Sequence, residues 1–456
     1  MNVLGLEEFN VIEGYDSEQY YKFVVEARNE PYFCTSCGTS AGLDKNENFF
    51  KRHDVRRRTV SDVDLRGKKV IIEILQRRFK CPKCGDNFTE YFESIARNDK
   101  VTQRLFKRMG EDSIKGKNTF KSVAEQHGVS DTTVKRAFWS HVDELYRNRV
   151  LLAPRVLGID EVYLHEEGFD RKQPFAVFTD IENKEIIEFV QGSSKEIVIE
   201  VIKSMKGYEN IEAVTMDMNS GYRHAVMETM PKANCVVDHF HVIQKANMKL
   251  NEIRATIQNK LPEGDKKELF KQRGRITANR EDLTEEALFK LDEVLEKYPK
   301  LQTAYQIKEG LRNVYKQKTK HDAFQQYYKW ECSIPKDAKE MKSIQRMINR
   351  LKQEVFRYFD GRYTNAYTES FNNVIKRIVR LGVGYSYDVL RAKILFGTKA
   401  TEIKKVKDMN FHRIFNVLSR ISGEVIWIHP NSEYAETYSY RVGIDKLLQQ
   451  IEDGEF

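Results

Sequence analysis

The 456-residue sequence contains no apolar run of about eighteen residues, the length a membrane-crossing helix requires, and no signal-peptide pattern. A helical membrane protein is thereby excluded, and a cytosolic chain, or a nuclear one in a eukaryote, is expected. Cysteine is sparse: there are six, and four of them form the pairs Cys34/Cys37 and Cys81/Cys84, so no disulfide framework is legible. The isolated Cys235 and Cys332 read as buried structural thiols. Neither sign of charge dominates: 76 Lys and Arg stand against 68 Asp and Glu, a net +8. With 40% hydrophobic and 32% charged residues the chain is globular in composition. Its length exceeds one ordinary core, and two to four domains follow.

The charge is modest but uneven. Residues 51 to 80 hold eleven Lys or Arg against four Asp or Glu, a local net of +7. Such a concentration, which includes Arg56, Arg57 and Arg58, suits a polyanion such as nucleic acid; the bland alternative is a solvated strand surface.

The two CxxC pairs lie in near copies of one local shape, "YFCTSCGTS" and "FKCPKCGDNF". A CxxC followed by glycine is a tight knuckle that points two thiolates at one ion. Two knuckles make a four-cysteine structural zinc site of the ribbon type, from Cys34, Cys37, Cys81 and Cys84. The 43 intervening residues exceed the usual spacing of roughly 15 to 20. Strands over "RRRTVSDVDL" and "KKVIIEILQRRFKC", joined by the turn "LRGKK", account for the excess. His53 reads as a surface residue.

In "TFKSVAEQHGVSDTTVKRAFWSHV", residues 119 to 142, Ala124, Gly128, Val129 and Val134 have the spacing of a helix-turn-helix. Ala124 permits close approach, Gly128 takes the turn, and Ser130 caps the second helix. That helix would present Asp131, Thr132, Thr133, Lys135 and Arg136 to a DNA groove.

Past Pro154 the elements run β-β-β-α-β-α-β: "RVLGIDEVYLH", "PFAVFTDIEN" and "EIIEFVQG" with a turn at Asn183, then the helix "SSKEIVIEVIKSMKG", the strand "IEAVTMDMNSGY", a helix, and "ANCVVDHFHV". This is the RNase H-like order, a mixed sheet with helices on its faces. Its first and fourth strands are neighbours, so Asp160, placed at the end of a short strand Val156 to Ile159, should meet Asp217. Adjacent carboxylates repel unless neutralised, and a divalent cation, Mg2+ or Mn2+, neutralises them. The third carboxylate is expected from Glu369 in "YTNAYTESFNNVIKRIVRLG". There Phe371, Val374, Ile375 and Ile378 form an apolar stripe, while Glu369, Asn372, Asn373, Lys376 and Arg380 lie off it. A carboxylate for metal, with amides and cations for phosphates, suits two-metal phosphoryl transfer.

At these residues the sequence resembles the ISL3 family of bacterial insertion-sequence transposases. The resemblance rests on "GIDEVY", "DMNSGYRHAV", "VVDHFHVIQKAN" and "TNAYTESFNNVIKRIVRLGVGYSYDVLRAKIL", and extends to "CPKCGDNFTE" and the helix-turn-helix. It implies a DDE triad of Asp160, Asp217 and Glu369, and an enzyme that binds terminal inverted repeats, cuts DNA and joins 3′ ends to a target. Asp238-x-x-His241 is similar to the (C/D)xxH element of transposases with a helical insertion. Either the pair takes part in the active site or it is a structural hydrogen-bonded pair; His239 competes with His241.

The resulting fold class is multidomain α+β/α/β. A zinc ribbon over 1–95 and a helix-turn-helix over 96–150 precede the first part of the catalytic core, 151–245. An all-α insertion follows over 246–355, in which Leu288, Leu291, Leu295 and Tyr298 trace one face and Trp330 is either packed or free to stack on a base. The core resumes over 356–410 with the Glu369 helix, and 411–456, with "VIWIHP" as a strand and "GIDKLLQQIEDGEF" as a helix, is a C-terminal extension. The expected partner is double-stranded DNA, both inverted repeats and target, bound by a homodimer or higher oligomer in the bacterial cytoplasm at the nucleoid, with no membrane. Two other functions fit the sequence: a domesticated, catalytically inactive DNA-binding regulator, and an RNase H-like nuclease without strand transfer.

Overall fold

A computed structural model describes residues 4–41, 49–96, 100–164 and 172–397. The segments "VIWIHP" and "GIDKLLQQIEDGEF" lie outside the described residues. No helix among those described is long and apolar enough to cross a membrane.

The N-terminal sheet has strand order β1-β2-β4-β3, built from β1 (Phe9–Asp16), β2 (Tyr20–Ala27), β3 (Lys51–Leu65) and β4 (Lys68–Lys80); β5 (Asn87–Thr89) pairs with β4. β3 and β4 form a long hairpin. Arg66 and Gly67 at its tip both have positive φ, 51° and 80°, the geometry of a type I′ turn. At the open end Lys51 pairs with Lys80. The knuckle before β3 therefore meets the knuckle after β4, and the hairpin, residues 51–80, takes up most of the 43-residue spacing. No strand pattern is legible in the sequence before Cys34, yet β1 and β2 extend the sheet on the other side of β4.

Three helices follow: α1 (Gln103–Ile114), α2 (Phe120–His127) and α3 (Asp131–Arg147). Gly128 closes α2 in the left-handed region at φ 67°, and the Ser130 side chain caps α3 by accepting from the Thr133 amide. α1 crosses α3 closely because Gly110 has no side chain; a Cβ there would lie 2.7 Å from His141 Cβ and 2.8 Å from the Ala137 carbonyl oxygen.

The second sheet has the order β10-β9-β6-β7-β8, from β6 (Val156–Tyr163), β7 (Pro174–Asp180), β8 (Glu185–Gln191), β9 (Ala213–Met216) and β10 (Asn234–Val237). β6, β7 and β8 are an antiparallel meander, while β9 and β10 run parallel to β6. α4 (Lys195–Ser204) and α5 (Ser220–Thr229) supply the crossovers. Ile187, Val198, Ile202, Tyr222 and Val226 pack with Leu157, Ile159 and Val214 beneath one face.

From β10 the chain passes directly into α6 (His239–Gln258), which runs unbroken across residues 245 and 246. Then come α7 (Glu263–Lys271), α8 (Arg273–Thr277), α9 (Glu285–Lys297), α10 (Pro299–Tyr315), α11 (Lys320–Ser333), α12 (Lys339–Arg350), α13 (Lys352–Phe356) and α14 (Tyr358–Gly361). Leu291, Leu295 and Trp330 are in their shared core. Trp330 is buried and donates its indole N–H to the Ile307 carbonyl at 2.7 Å, which settles it as a packed aromatic. Cys235 is buried as expected, but Cys332 is exposed, on the outer face of α11.

α15 (Ala366–Leu381) and α16 (Tyr387–Gly397) complete the described chain. Val389 and Ala392 of α16 enter the core of the three N-terminal helices. Lys393, fully buried, donates to the carbonyls of Ser113 in the last turn of α1 and of Lys115 and Asn118 just past it.

Candidate active site

Asp160 lies where the pairing around β6 divides. On one side β6 remains paired with β7 as far as Tyr163, with Asp160 opposite Val177. On the other side its parallel pairing with β9 stops at Gly158 and Thr215. The expectation that the strand ends at Ile159 is therefore corrected: β7 goes on supplying hydrogen-bond partners to Tyr163. What ends near Asp160 is the parallel pair, and Asp217 is the first residue beyond β9.

α15 crosses this edge on a buried polar network. Asn365 Nδ2 donates to the Ile159 carbonyl at 3.1 Å. Its Oδ1 accepts from Thr215 Oγ1 at 3.3 Å and from Thr368 Oγ1 at 2.7 Å. Asn365, Thr215 and Thr368 are all fully buried. Glu369, the next residue, is thereby carried over β6.

His241, in the first turn of α6, stands between two carboxylates. Its Nε2 is 3.4 Å from Glu369 Oε1 and 3.9 Å from Asp160 Oδ1. Asp238 caps α6 by accepting from the Phe240 amide at 3.3 Å. One ligand atom each from Asp238, His241 and Glu369 fall within 4.8 Å of one another. His239 faces elsewhere: its ring packs against Tyr358 and Tyr315, with centroids 4.9 and 5.6 Å away. Asp217 sits beside this group, within electrostatic reach of Asp160 and His241, and its Oδ1 accepts from the Asn219 amide at 2.7 Å.

Burial raises the Asp160 carboxyl to about 6 and the Glu369 carboxyl to about 7, and it raises Asp217 too; neighbouring carboxylates add to each shift and His241 opposes it. Buried polar atoms are nearly always paired. Here Asp238 Oδ2, His241 Nε2, Glu369 Oε1 and Asn372 Oδ1 are buried with no hydrogen-bond partner. A set of carboxylate and amide oxygens with one imidazole, left without protein donors, fits a hard divalent cation.

The four cysteines of the N-terminal knuckles converge. Cys34 Sγ lies 3.9 Å from Cys84 Sγ, and Cys37 Sγ lies 3.8 Å from Cys81 Sγ. Zn–S bonds of about 2.3 Å in a tetrahedron put the sulfurs roughly 3.8 Å apart, so the pocket has the size of a zinc site. Gly38 and Gly85 adopt φ of 71° and 77° and donate back to the carbonyls of Cys34 and Cys81, which makes the two knuckles alike. His53 is outside this group, beside Asp54 at 3.5 Å.

Of the residues expected to meet DNA, Asp131, Thr132, Lys135 and Arg136 are exposed along the start of α3. Thr133 is half-buried, its hydroxyl 3.1 Å from that of Ser130 within the cap. On β3, Arg56 and Arg57 are exposed and Arg58 is half-buried. Arg57 is tied to Glu73 of β4 at 2.5 Å. Lys376 and Arg380 occupy later turns of α15, half-buried and exposed respectively. Asn372, read from the sequence as a phosphate-contacting amide, is instead buried against Asp160: its Nδ2 donates to Asp160 Oδ2 at 2.9 Å.

Comparison with known families matches each of these three parts, the cysteine-ribbon sheet, the helix-turn-helix and the mixed sheet with its carboxylates, to a transposase family. The ISL3-family transposase model matches residues 157–394, the helix-turn-helix domain of transposase family ISL3 matches 92–142, and the zinc-finger of transposase IS204/IS1001/IS1096/IS1165 matches 48–84. The chain belongs to the ISL3 family of transposases. It is similar to the transposase for insertion sequence element IS1001 of Bordetella parapertussis, 23% identical over 345 residues that cover 73% of this chain and 82% of that protein. The first knuckle, Cys34 and Cys37, precedes the matched zinc-finger stretch and is joined to it by the sulfur geometry.

Proposed function

We propose that this transposase binds the terminal inverted repeats of its element, cleaves DNA at the element ends, and joins the 3′ ends to target DNA. The observation that supports this reading is the gathering of Asp160 from within β6, Asp217 from just beyond β9 and Glu369 from α15 around His241, with Glu369 Oε1 buried and without a hydrogen bond. On this reading the sheet is an RNase H-like core, α6 to α14 are an all-α insertion between its fifth strand and the Glu369 helix, and Asp160, Asp217 and Glu369 are the DDE triad.

Asp160, Asp217 and Glu369 would hold Mg2+ or Mn2+, with Asp238 and His241 beside them. Such ions supply the positive charge that stabilises in-line phosphoryl transfer. The chain's own part is positional. α15 fixes Glu369 through Asn365 and Thr368, and His241 fills the space between Glu369 and Asp160 where it can contact the scissile phosphate. Lys376 and Arg380, farther along α15, would grip flanking phosphates. A cleft of about 300 Å³ beside Asp217, with Arg223 and Arg350 among its lining residues, offers a path for the strand. The helix α3 would read base edges, and the exposed arm of β3 would hold the backbone. Zinc on the four cysteines would tie the open end of the β3–β4 hairpin.

Incubation with labelled element-end DNA, Mg2+ and a plasmid target tests the reading. Wild type should release cleaved ends and joined products, and Asp160→Ala should bind the ends but yield neither. Binding without cleavage by wild type would favour a DNA-binding regulator; cleavage without joining would favour a nuclease.

A further inference from the structure

Asn372 follows Glu369 by three residues, so the two share a face of α15. It is 7% exposed. One end of its amide is engaged: Nδ2 donates to Asp160 Oδ2 at 2.9 Å and reaches the Glu161 carbonyl at 3.5 Å. The other end is not: Oδ1 is buried and has no hydrogen-bond partner. An asparagine needed only to pin α15 to β6 would gain nothing from a desolvated, unpaired carbonyl oxygen, which costs stability. Asp160, the carboxylate that Asn372 holds, has its other oxygen 3.9 Å from His241 Nε2, which in turn lies 3.4 Å from Glu369 Oε1 without a hydrogen bond.

We infer that Asn372 serves the cation site in two ways: its N–H positions Asp160, and its Oδ1 is a further oxygen ligand available to the divalent cation. The inference rests on the proposed cation at the carboxylates and deepens it. Asp160 carries an oxygen on each side, Oδ2 bound by Asn372 and Oδ1 turned toward His241. Without the Asn372 donor the carboxylate can rotate, and its ligand oxygen is no longer preset. Asn373, the neighbouring amide, is exposed and its Nδ2 bonds back to the Glu369 carbonyl at 3.4 Å. It is a matched control with the same chemistry and no place in the pocket.

The test is Mn2+ titration of the zinc-loaded full-length chain, followed by calorimetry, with melting temperature measured separately in the absence of Mn2+. Loss of such an orienting partner weakens metal binding by about 10- to 100-fold. Asn372→Ala should show that loss, Asp160→Ala should lose the site altogether, and Asn373→Ala should bind as wild type does. A purely structural asparagine would lower the melting temperature and leave Mn2+ affinity unchanged, and that result overturns the inference. If wild type and Asp160→Ala bind Mn2+ identically, the cation reading itself fails and takes this inference with it. If Asp160→Ala loses the site while Asn372→Ala keeps full affinity, only the role of Asn372 falls.

Discussion

Thr368 on α15 and Thr179 on β7 bring their hydroxyl oxygens to 2.6 Å of each other, directly over Gly158. The contact exists because Gly158 has no side chain. A Cβ there would lie 2.5 Å from Thr179 Oγ1 and from Ile181 Cδ1, and 2.7 Å from Thr368 Oγ1. The glycine two residues before Asp160 thus sets how closely the Glu369 helix approaches the sheet.

Gly158→Ala should displace the start of α15 from β6 and misplace Glu369. A shift of about 1 Å at a catalytic group can lower rate roughly 100-fold, and element-end cleavage should fall by that order. End binding, which depends on other elements, should persist in a mobility-shift assay. Cleavage at the wild-type rate would show that the approach of α15 is not critical.

One zinc per chain is expected on Cys34, Cys37, Cys81 and Cys84. Because a structural site is not preformed without its ion, Cys81→Ser or chelation should open the end of the β3–β4 hairpin while the second sheet stays folded. Metal analysis and limited proteolysis check this. Protein purified without chelator that carries under half an equivalent of zinc would count against it.

DNA contacts should divide between two elements. Arg136→Ala on α3 should cost about 1 to 3 kcal/mol on the cognate end and relax specificity. Arg56→Ala on β3 should weaken cognate and random DNA alike and reduce the salt slope by about one. Arg56 is the better probe than Arg57, which is already held by Glu73. Competition binding at several salt concentrations separates the two effects, and the reverse pattern would exchange the roles of α3 and β3.

Asp112, buried in α1, accepts from Arg108 at 3.1 Å, Lys115 at 2.8 Å and His127 at 3.2 Å. Burial pushes its pKa up, but the hydrogen bonds from His127 and Lys115 and the charge of Arg108 outweigh it and hold the group at about 2, below its ordinary 3.8. The folded state thus binds this proton less readily than the unfolded chain. The stabilisation, roughly 2 kcal/mol, is complete above pH 3.8 and is lost as pH falls through about 2. Hydrogen exchange over α1 to α3, corrected for intrinsic rates, should show Asp112→Asn less protected than wild type at pH 6, with the gap closing toward pH 2. A gap independent of pH would contradict the assignment.

Much of the candidate site is legible in the sequence because its polar residues interrupt strong apolar patterns. Asp160 follows Val156 to Ile159, Asp217 follows a four-residue buried strand, and Glu369 stands off a helical stripe. The supports were harder to see. Asn365, Thr368, Thr179 and Thr215 are polar and fully buried, and periodicity assigns such residues to the surface. Only the crossing of α15 over three strands gives them partners. β1 was hidden for a different reason: seven of its eight residues are exposed, so no alternation marks it. Cys332 departs from the expectation because thiols are usually buried, whereas this one is exposed on α11.

The most direct measurement is an anomalous difference map from crystals of the wild-type protein grown with Mn2+. The account predicts peaks in the pocket contacted by oxygens of Asp160 and Glu369 and of Asp160 and Asp217, with two ions about 4 Å apart. A map with no peak in this pocket, or with an ion held by Asp238 and His241 and out of reach of Asp160, would contradict it.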